Sequence, residues 1–269
     1  MAIIALHSAA SGMKALDTKL DVTANNLANI NTTGFKSSRV NFEDLLYLVK
    51  REPGVPNADD EPIPHGIQVG LGVQVSGTQL NFQPGSVDPT DNQLDLRIDG
   101  PGLFQVRVIH DGDPIVGYTR AGNFTMNSEG TLVLGNTLGT PMEPPITIPT
   151  DAIDIAIGSN GEVRVRQPGS PTLNTVGQIQ LARFVNPEGL RQIGTTLFAE
   201  TDASGPPVTG DPQSDGLGSL QQAQLEMSNV EPVRELISLI TTQRAFELNS
   251  QSIQSADQSL QVVSNLRRF

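Results

Sequence analysis

Apolar residues recur with two different periods along this chain, and the change of period divides it. Over residues 229–269 the large apolar side chains fall at Val233, Leu236, Ile237 and Ile240, then at Phe246, Ile253 and Leu260. In the second half Asn249, Ala256 and Val263 take the alternate heptad position, which predicts one long helix with a coiled-coil seam. Between Ile240 and Phe246 the apolar spacing slips by a residue, so the stripe drifts around the helix and predicts different partners along its length. Ser228 and Glu231 are placed as a reciprocal cap, with Pro232 tolerable in the first turn. Arg267 and Arg268 would sit at the negative end of the helix dipole.

The opposite end carries a second seam. Leu6, Met13, Leu20 and Leu27 share one heptad position; Ala9, Leu16, Thr23 and Ile30 share the other. A helix from about residue 3 to residue 30 would run roughly 40 Å. Asn29-Ile30-Asn31-Thr32-Thr33-Gly34 suits its stop, with Gly34 able to take a left-handed conformation. Two long helices with one apolar stripe each predict a pair that brings the ends of the chain into one layer. The few large side chains on the first seam offset little more than the entropy of ordering it, so further burial against other chains is expected.

Between the ends the period is two. Residues 41–47 read as a short helix after a turn. Residues 52–66 hold Pro53, Pro56, Pro62 and Pro64 and the acidic run Asp59-Asp60-Glu61, an extended arm too polar to pack alone. Residues 66–80 read as one strand, with Ile67, Val69, Leu71, Val73 and Val75 on one face. Leu94 to Ile98, Ile153 to Ile157 and Glu162 to Arg166 alternate, the last two joined by the hairpin turn Gly158-Ser159-Asn160-Gly161. The fold class is therefore α+β: N- and C-terminal helices paired as a coiled coil around an inserted all-β domain. Residues 1–45 with 217–269 form the helical assembly domain, 46–66 the arm, 67–91 with 196–216 β-rich connections, and 92–195 the outer β domain.

Composition narrows the function. Twenty-six Gly and nineteen Pro favour short strands and many turns, and no Cys is present. A net charge of −12 argues against a nucleic-acid or anionic-membrane partner. No apolar run spans a bilayer, and no basic region precedes the first apolar residues, so no cleaved export signal is expected. His7, His65 and His110 lack partners at metal-ligand spacing. Asp88, Asp91, Asp95 and Asp99 lack the glycine and closing glutamate of a calcium loop. No nucleophile, base and oxyanion site assemble, so the reading assigns no catalytic residue, cofactor or metal.

Several stretches resemble the bacterial flagellar rod and hook family. They are Val22 to Lys36 at the N-terminus, Gly102 to Val106 and Tyr118 to Phe124 in the middle, and Leu225 to Val230 with Gln243 to Ser250 at the C-terminus. Together they span almost the whole chain. Its length, Phe42 to Tyr47, the Pro-rich arm and Gly66 to Val73 look most like the distal rod member. The hook member carries larger inserted domains, and a proximal rod member is the alternative.

The resemblance implies a structural subunit without catalysis, in which copies stack helically into a hollow shaft that crosses the periplasm and passes torque to the hook. Implied partners are further copies of the chain, proximal rod proteins, the hook protein, the surrounding P and L rings, the rod cap and the type III export apparatus. The implied assembly surface comprises Leu6, Met13, Leu16, Leu20, Asn25, Asn26, Leu27, Asn29 and Ile30 from the first helix. From the second it takes Asn229, Val230, Leu236, Ile240, Arg244, Phe246, Asn249, Ile253, Leu260 and Val263. The asparagine amides at the end of the first helix would bond backbone groups of an adjacent subunit, and Asn249 would fix register. Phe246 replaces a Tyr common in the family, and Gln251 a frequent Lys. A reading from another class is a secreted oligomeric binding or adhesive module.

Overall fold

The structure, a computed structural model, describes residues 2–54, 64–110, 112–169 and 172–266. The acidic run Asp59-Asp60-Glu61 with Pro56 and Pro62, and Arg267 and Arg268, lie outside the described residues. The chain divides into two compact units.

The first unit holds Met1–Leu27, Ser38–Gln79 and Glu231–Phe269. It contains α1 (Ala2–Ala28) and α2 (Pro232–Leu266), with β1 (Ser38–Asp44), β2 (Tyr47–Arg51), β3 (Ile67–Gly70) and β4 (Val73–Leu80). The short helix expected over residues 41–47 is absent. β1 pairs with β4 and β2 with β3 instead, giving a long two-stranded ribbon. Cross-strand partners override the local helical pattern there. The single strand expected over 66–80 breaks at Gly72, whose φ of +125° is closed to side chains. The Tyr47 ring covers Gly70, its register partner, so that a Cβ on Gly70 would meet the ring at 3.3 Å. Leu46, Tyr47, Leu48, Val49 and Ile67 nevertheless stay exposed, Leu46 at 83%.

The expected cap of α2 is also revised. The Ser228 hydroxyl accepts from Val230 N–H at 3.3 Å, and the first helical bond runs from Glu235 N–H to the Glu231 carbonyl. Ser228 lies too early to reach the first turn, and Glu231 instead pairs with Arg234 at 3.2 Å.

The second unit holds Ala28–Ser37 and Leu80–Val230. A six-stranded sheet dominates it. The order is β15 (Arg191–Gly194), β16 (Leu197–Ala199), β8 (Asp113–Thr119), β7 (Leu103–His110), β14 (Leu181–Arg183) and β17 (Val208–Gly210). β11 (Asp154–Ile157), β12 (Glu162–Arg166) and β13 (Asn174–Gln178) form a second sheet, with the expected turn at 158–161. Three further antiparallel pairs join β9 (Phe124–Met126) to β10 (Leu132–Leu134), β6 (Leu96–Asp99) to β18 (Ser219–Gln222), and β5 (Val87–Pro89) to β19 (Gln224–Glu226). The sequence boundaries shift accordingly. Residues 217–230 fold as strands of this unit rather than with the helices, and 196–216 contribute two strands to its main sheet.

Alternation along β7 explains the core. Phe104, Val106 and Val108 join Leu96, Ile98, Phe124, Leu132, Ile148 and Leu181 in the larger cluster. Leu103 points the other way, into a cluster with Leu80, Tyr118, Ala182, Phe184, Leu190 and Phe198. Phe104 meets Phe124 edge-on at 5.1 Å, and Tyr118 meets Phe184 edge-on at 4.7 Å. Each such buried side chain contributes about 1.5–3 kcal/mol of transfer free energy.

Candidate assembly surface

The covered line of α1 is not the expected leucine seam. Ala15, Thr23 and Asn26 are buried, while Leu6, Met13, Leu16, Leu20 and Leu27 are only half covered; Ile30, just past the helix end, is likewise half covered. Two contacts locate α2 against this line. Asn26 Nδ2 donates to Glu235 Oε1 at 3.3 Å, and a Cβ on Gly12 would lie 3.2 Å from Asn249 Nδ2. The contacts are equally spaced on the two helices and opposite in order, so α1 and α2 run antiparallel. The missing side chain at Gly12 admits the Asn249 amide, which a leucine there would hold off.

On α2, Thr242 is buried and Phe246, Asn249, Ile253 and Ala256 are half-buried, following the expected second-half seam. The first-half stripe is on another side. Val233, Leu236, Ile237 and Ile240 are exposed, Val233 at 69%, and Leu248 continues them at 63%. The slip in spacing thus separates an inward face from an outward one. Arg244 is exposed, and Leu260 remains 38% exposed at the far end. Val263 lies within α2, but its side chain is outside the described part.

The asparagines do not all point outward, contrary to expectation. Asn26 spends its side chain on Ser38, accepting from the backbone N–H at 3.0 Å and donating to the carbonyl at 2.8 Å. Asn229 accepts from Ser37 N–H at 2.8 Å and donates to the Asn81 and Gln83 carbonyls at 2.8 and 3.1 Å. These amides replace ladder partners for backbone that has left its secondary structure. Asn29 accepts from the Thr32 hydroxyl at 3.2 Å, and Asn25 is on the exposed side of α1. Val230 is buried. The ribbon meets α1 through Gly72, where a Cβ would lie 2.1 Å from Ser11 Oγ. Val73 N–H donates to that oxygen at 3.3 Å, and His7 Nδ1 lies 3.1 Å from the Leu71 carbonyl.

A buried charge cluster went unassigned in the sequence. Lys36 Nζ donates to Glu226 Oε1 at 2.5 Å and to the Gln83 carbonyl at 2.7 Å. Gly85 N–H also donates to Glu226 Oε1, and Arg120 Nε lies 3.6 Å from Oε2. Lys36 is 1% exposed. Burial lowers the Lys36 pKa from its usual value, opposed by Glu226, and burial likewise lowers that of Arg120. Gly34 sits beside this cluster at φ +68°, donating to the Glu226 carbonyl. Its left-handed backbone was legible in the sequence.

Three segments match family models. Residues 6–36 match the flagella basal body rod protein model, 97–165 the flagellar hook protein FlgE/F/G D1 domain, and 221–266 the C-terminal region of flagellar basal body rod FlgEFG proteins. The flagellar basal-body rod protein FlgG of Agrobacterium fabrum is 45% identical over 97% of this chain and 98% of its own length. That of Caulobacter vibrioides is 45% identical over 98% of this chain and 99% of its own, and that of Borreliella burgdorferi 41% identical over 98% of each. This chain belongs to the flagellar basal-body rod protein family. It is a structural subunit of the flagellar distal rod.

Rod-family membership gives the charge cluster a meaning. Each matched segment supplies one member: Lys36 from the first, Arg120 from the second, Glu226 from the third. Regions far apart in sequence are thus closed on one carboxylate. Among the described residues of this rod protein no helix is long and apolar enough to cross a membrane, and no group of side chains could hold a metal ion.

Proposed function

We propose that copies of this rod subunit stack helically into a hollow shaft, with α1 and α2 forming its inner layer as coiled coils shared between neighbours. The observation that carries this reading is the pair of incompletely covered apolar stripes. One is Val233, Leu236, Ile237, Ile240 and Leu248 on α2; the other is Leu6, Met13, Leu20 and Leu27 on α1. An apolar face left open along a helix marks an interaction surface. A soluble monomer gains nothing from it, whereas a tube buries it on every copy. Asn25, Asn29, Arg244 and Leu260 belong to the same contact surface, and Phe246, Asn249 and Ile253 hold the register of the pair within each copy. The arm at residues 46–66 gains order on a neighbour, since an isolated two-stranded ribbon such as β2 with β3 is marginal in water.

The shaft crosses the periplasm and passes torque from proximal rod proteins to the hook protein, turning inside the P and L rings. Subunits reach it through the type III export apparatus and add beneath a rod cap. The role is mechanical, without catalysis or cofactor. Concentrating the purified chain and viewing it by electron microscopy tests the reading: tubes are expected, and dispersed particles at every concentration would refute it.

A further inference from the structure

The second unit contains a cavity of about 170 Å³ lined by Phe82, Leu103, Phe184 and Pro187, with Arg120 and Arg183 among its walls. Its electrostatics are unbalanced. Lys36 and Arg120 share the single carboxylate of Glu226, while nearby Arg97 and Asp99 pair with one another at 3.5 Å. One positive charge is left over behind the apolar wall, and Arg183, an exposed residue, adds a second at the cavity itself. A site of this kind takes a carboxylate carried on an apolar, extended peptide.

The chain contains such a peptide. Residues 59–64 read Asp-Asp-Glu-Pro-Ile-Pro, three carboxylates followed by an apolar run whose prolines favour an extended backbone. We infer that the cavity between Phe82, Phe184 and Arg183 receives the acidic arm of a second copy, with Glu61 or its neighbours facing Arg183 and the Pro62-Ile63-Pro64 run against the apolar wall. This inference rests on the assembly reading above and names the receptor for the arm within it. Charge complementarity selects the occupant: in a chain of net charge −12, the exposed Arg183 stands at an apolar opening, backed by the buried Arg120, whose guanidinium is held by the Ile98 and Gly100 carbonyls.

The absence of native cysteine makes the test clean. Two variants of the full chain are prepared, one carrying Arg183→Cys and the other Glu61→Cys with a mass tag, then mixed, concentrated and oxidised. A disulfide-linked heterodimer is expected in assembled material and not in dilute monomer. Separately, Arg183→Glu should raise the critical concentration for assembly by at least about tenfold, because like charges then meet. Adding Asp59→Lys and Glu61→Lys should restore it, while circular dichroism of the monomers stays unchanged. Tubes that form without the heterodimer, and with Arg183→Glu assembling normally, would overturn the inference and leave the assembly reading standing. Disulfide-linked homodimers of either variant in place of the heterodimer would also overturn it. If the native chain forms no tubes, both fall together.

Discussion

Lys36 and Glu226 stand 190 positions apart in sequence and 2.5 Å apart in space, both shielded from solvent. The pair is uneven because Arg120 shares the same carboxylate. Removing the anion therefore strands two buried cations, whereas removing Lys36 leaves a balanced Arg120–Glu226 pair. Glu226→Gln should destabilise the β unit by about 3–5 kcal/mol, the cost of breaking a buried pair. Lys36→Met, which nearly keeps the volume, should cost distinctly less. Urea unfolding followed by tyrosine fluorescence measures both, and equal losses would contradict the proposed imbalance.

Tyr118 predicts an alkaline transition. Burial, aided by Glu200, pushes its pKa up to about 12 from an ordinary value of 10.0. Between those values the unfolded chain loses the phenolic proton while the folded chain keeps it. The contribution is complete below pH 10 and lost as pH climbs through 12, amounting to about 2 kcal/mol. Tyr118→Phe should flatten the fall in stability over that range, as read from thermal melts at stepped pH. Burial of Lys36 acts in the opposite sense: its lowered pKa makes the unfolded chain the better proton binder, so that stability rises as pH approaches 10.5.

Asn26 predicts a local effect. Asn26→Ala leaves the Ser38 N–H and carbonyl without their partner and should cost about 1–3 kcal/mol. Hydrogen exchange should quicken at Ser38 first. Asn26→Asp keeps the acceptor and loses the donor, so it should protect the Ser38 amide while still weakening the site, more so because Glu235 is adjacent.

The outward stripe of α2 separates assembly from folding. Ile240→Asp changes a residue that is 46% exposed in the single chain, so the melting temperature should hardly move. In a tube it would bury an unpaired carboxylate at a cost of several kcal/mol, and tubes should disappear in electron micrographs. Leu260→Asp should act similarly. Thr242→Asp, by contrast, strikes the inward side and should lower helicity in the monomer.

Helix content should also respond to assembly. The exposed second half of α2 has few internal partners, and a helix covered on one side is sustained mainly by packing. Circular dichroism at 222 nm should deepen when monomer converts to polymer; an unchanged signal would contradict this.

Much of this architecture could be read from spacing alone. The slip between Ile240 and Phe246 announced two faces on α2, and both exist. The strand pairs around Gly158 to Gly161 and the left-handed Gly34 followed from local chemistry. What periodicity missed was contact chosen by size rather than hydrophobicity. Ala15, Thr23 and Asn26 carry the covered line of α1, with Gly12 against the Asn249 amide, and a pattern of large apolar residues passes over them. Residues 41–47 form strand rather than the expected short helix because the partner strands lie beyond the arm. Asn26 and Asn229 were assigned to neighbouring subunits because nothing in the sequence showed that Ser37 and Ser38 needed partners within the chain. Lys36, Arg120 and Glu226 gave no local signal at all, since only the closed β unit brings them together.

The fit of Gly72 against Ser11 has a mechanical corollary. Even one added carbon would collide there with Ser11 Oγ and crowd Ser8 Cα, so the foot of the ribbon rests directly on α1 around residues 8–11. A pull on the ribbon is consequently delivered to the helix over the single turn from His7 to Ser11, as a lever delivers load to its pivot.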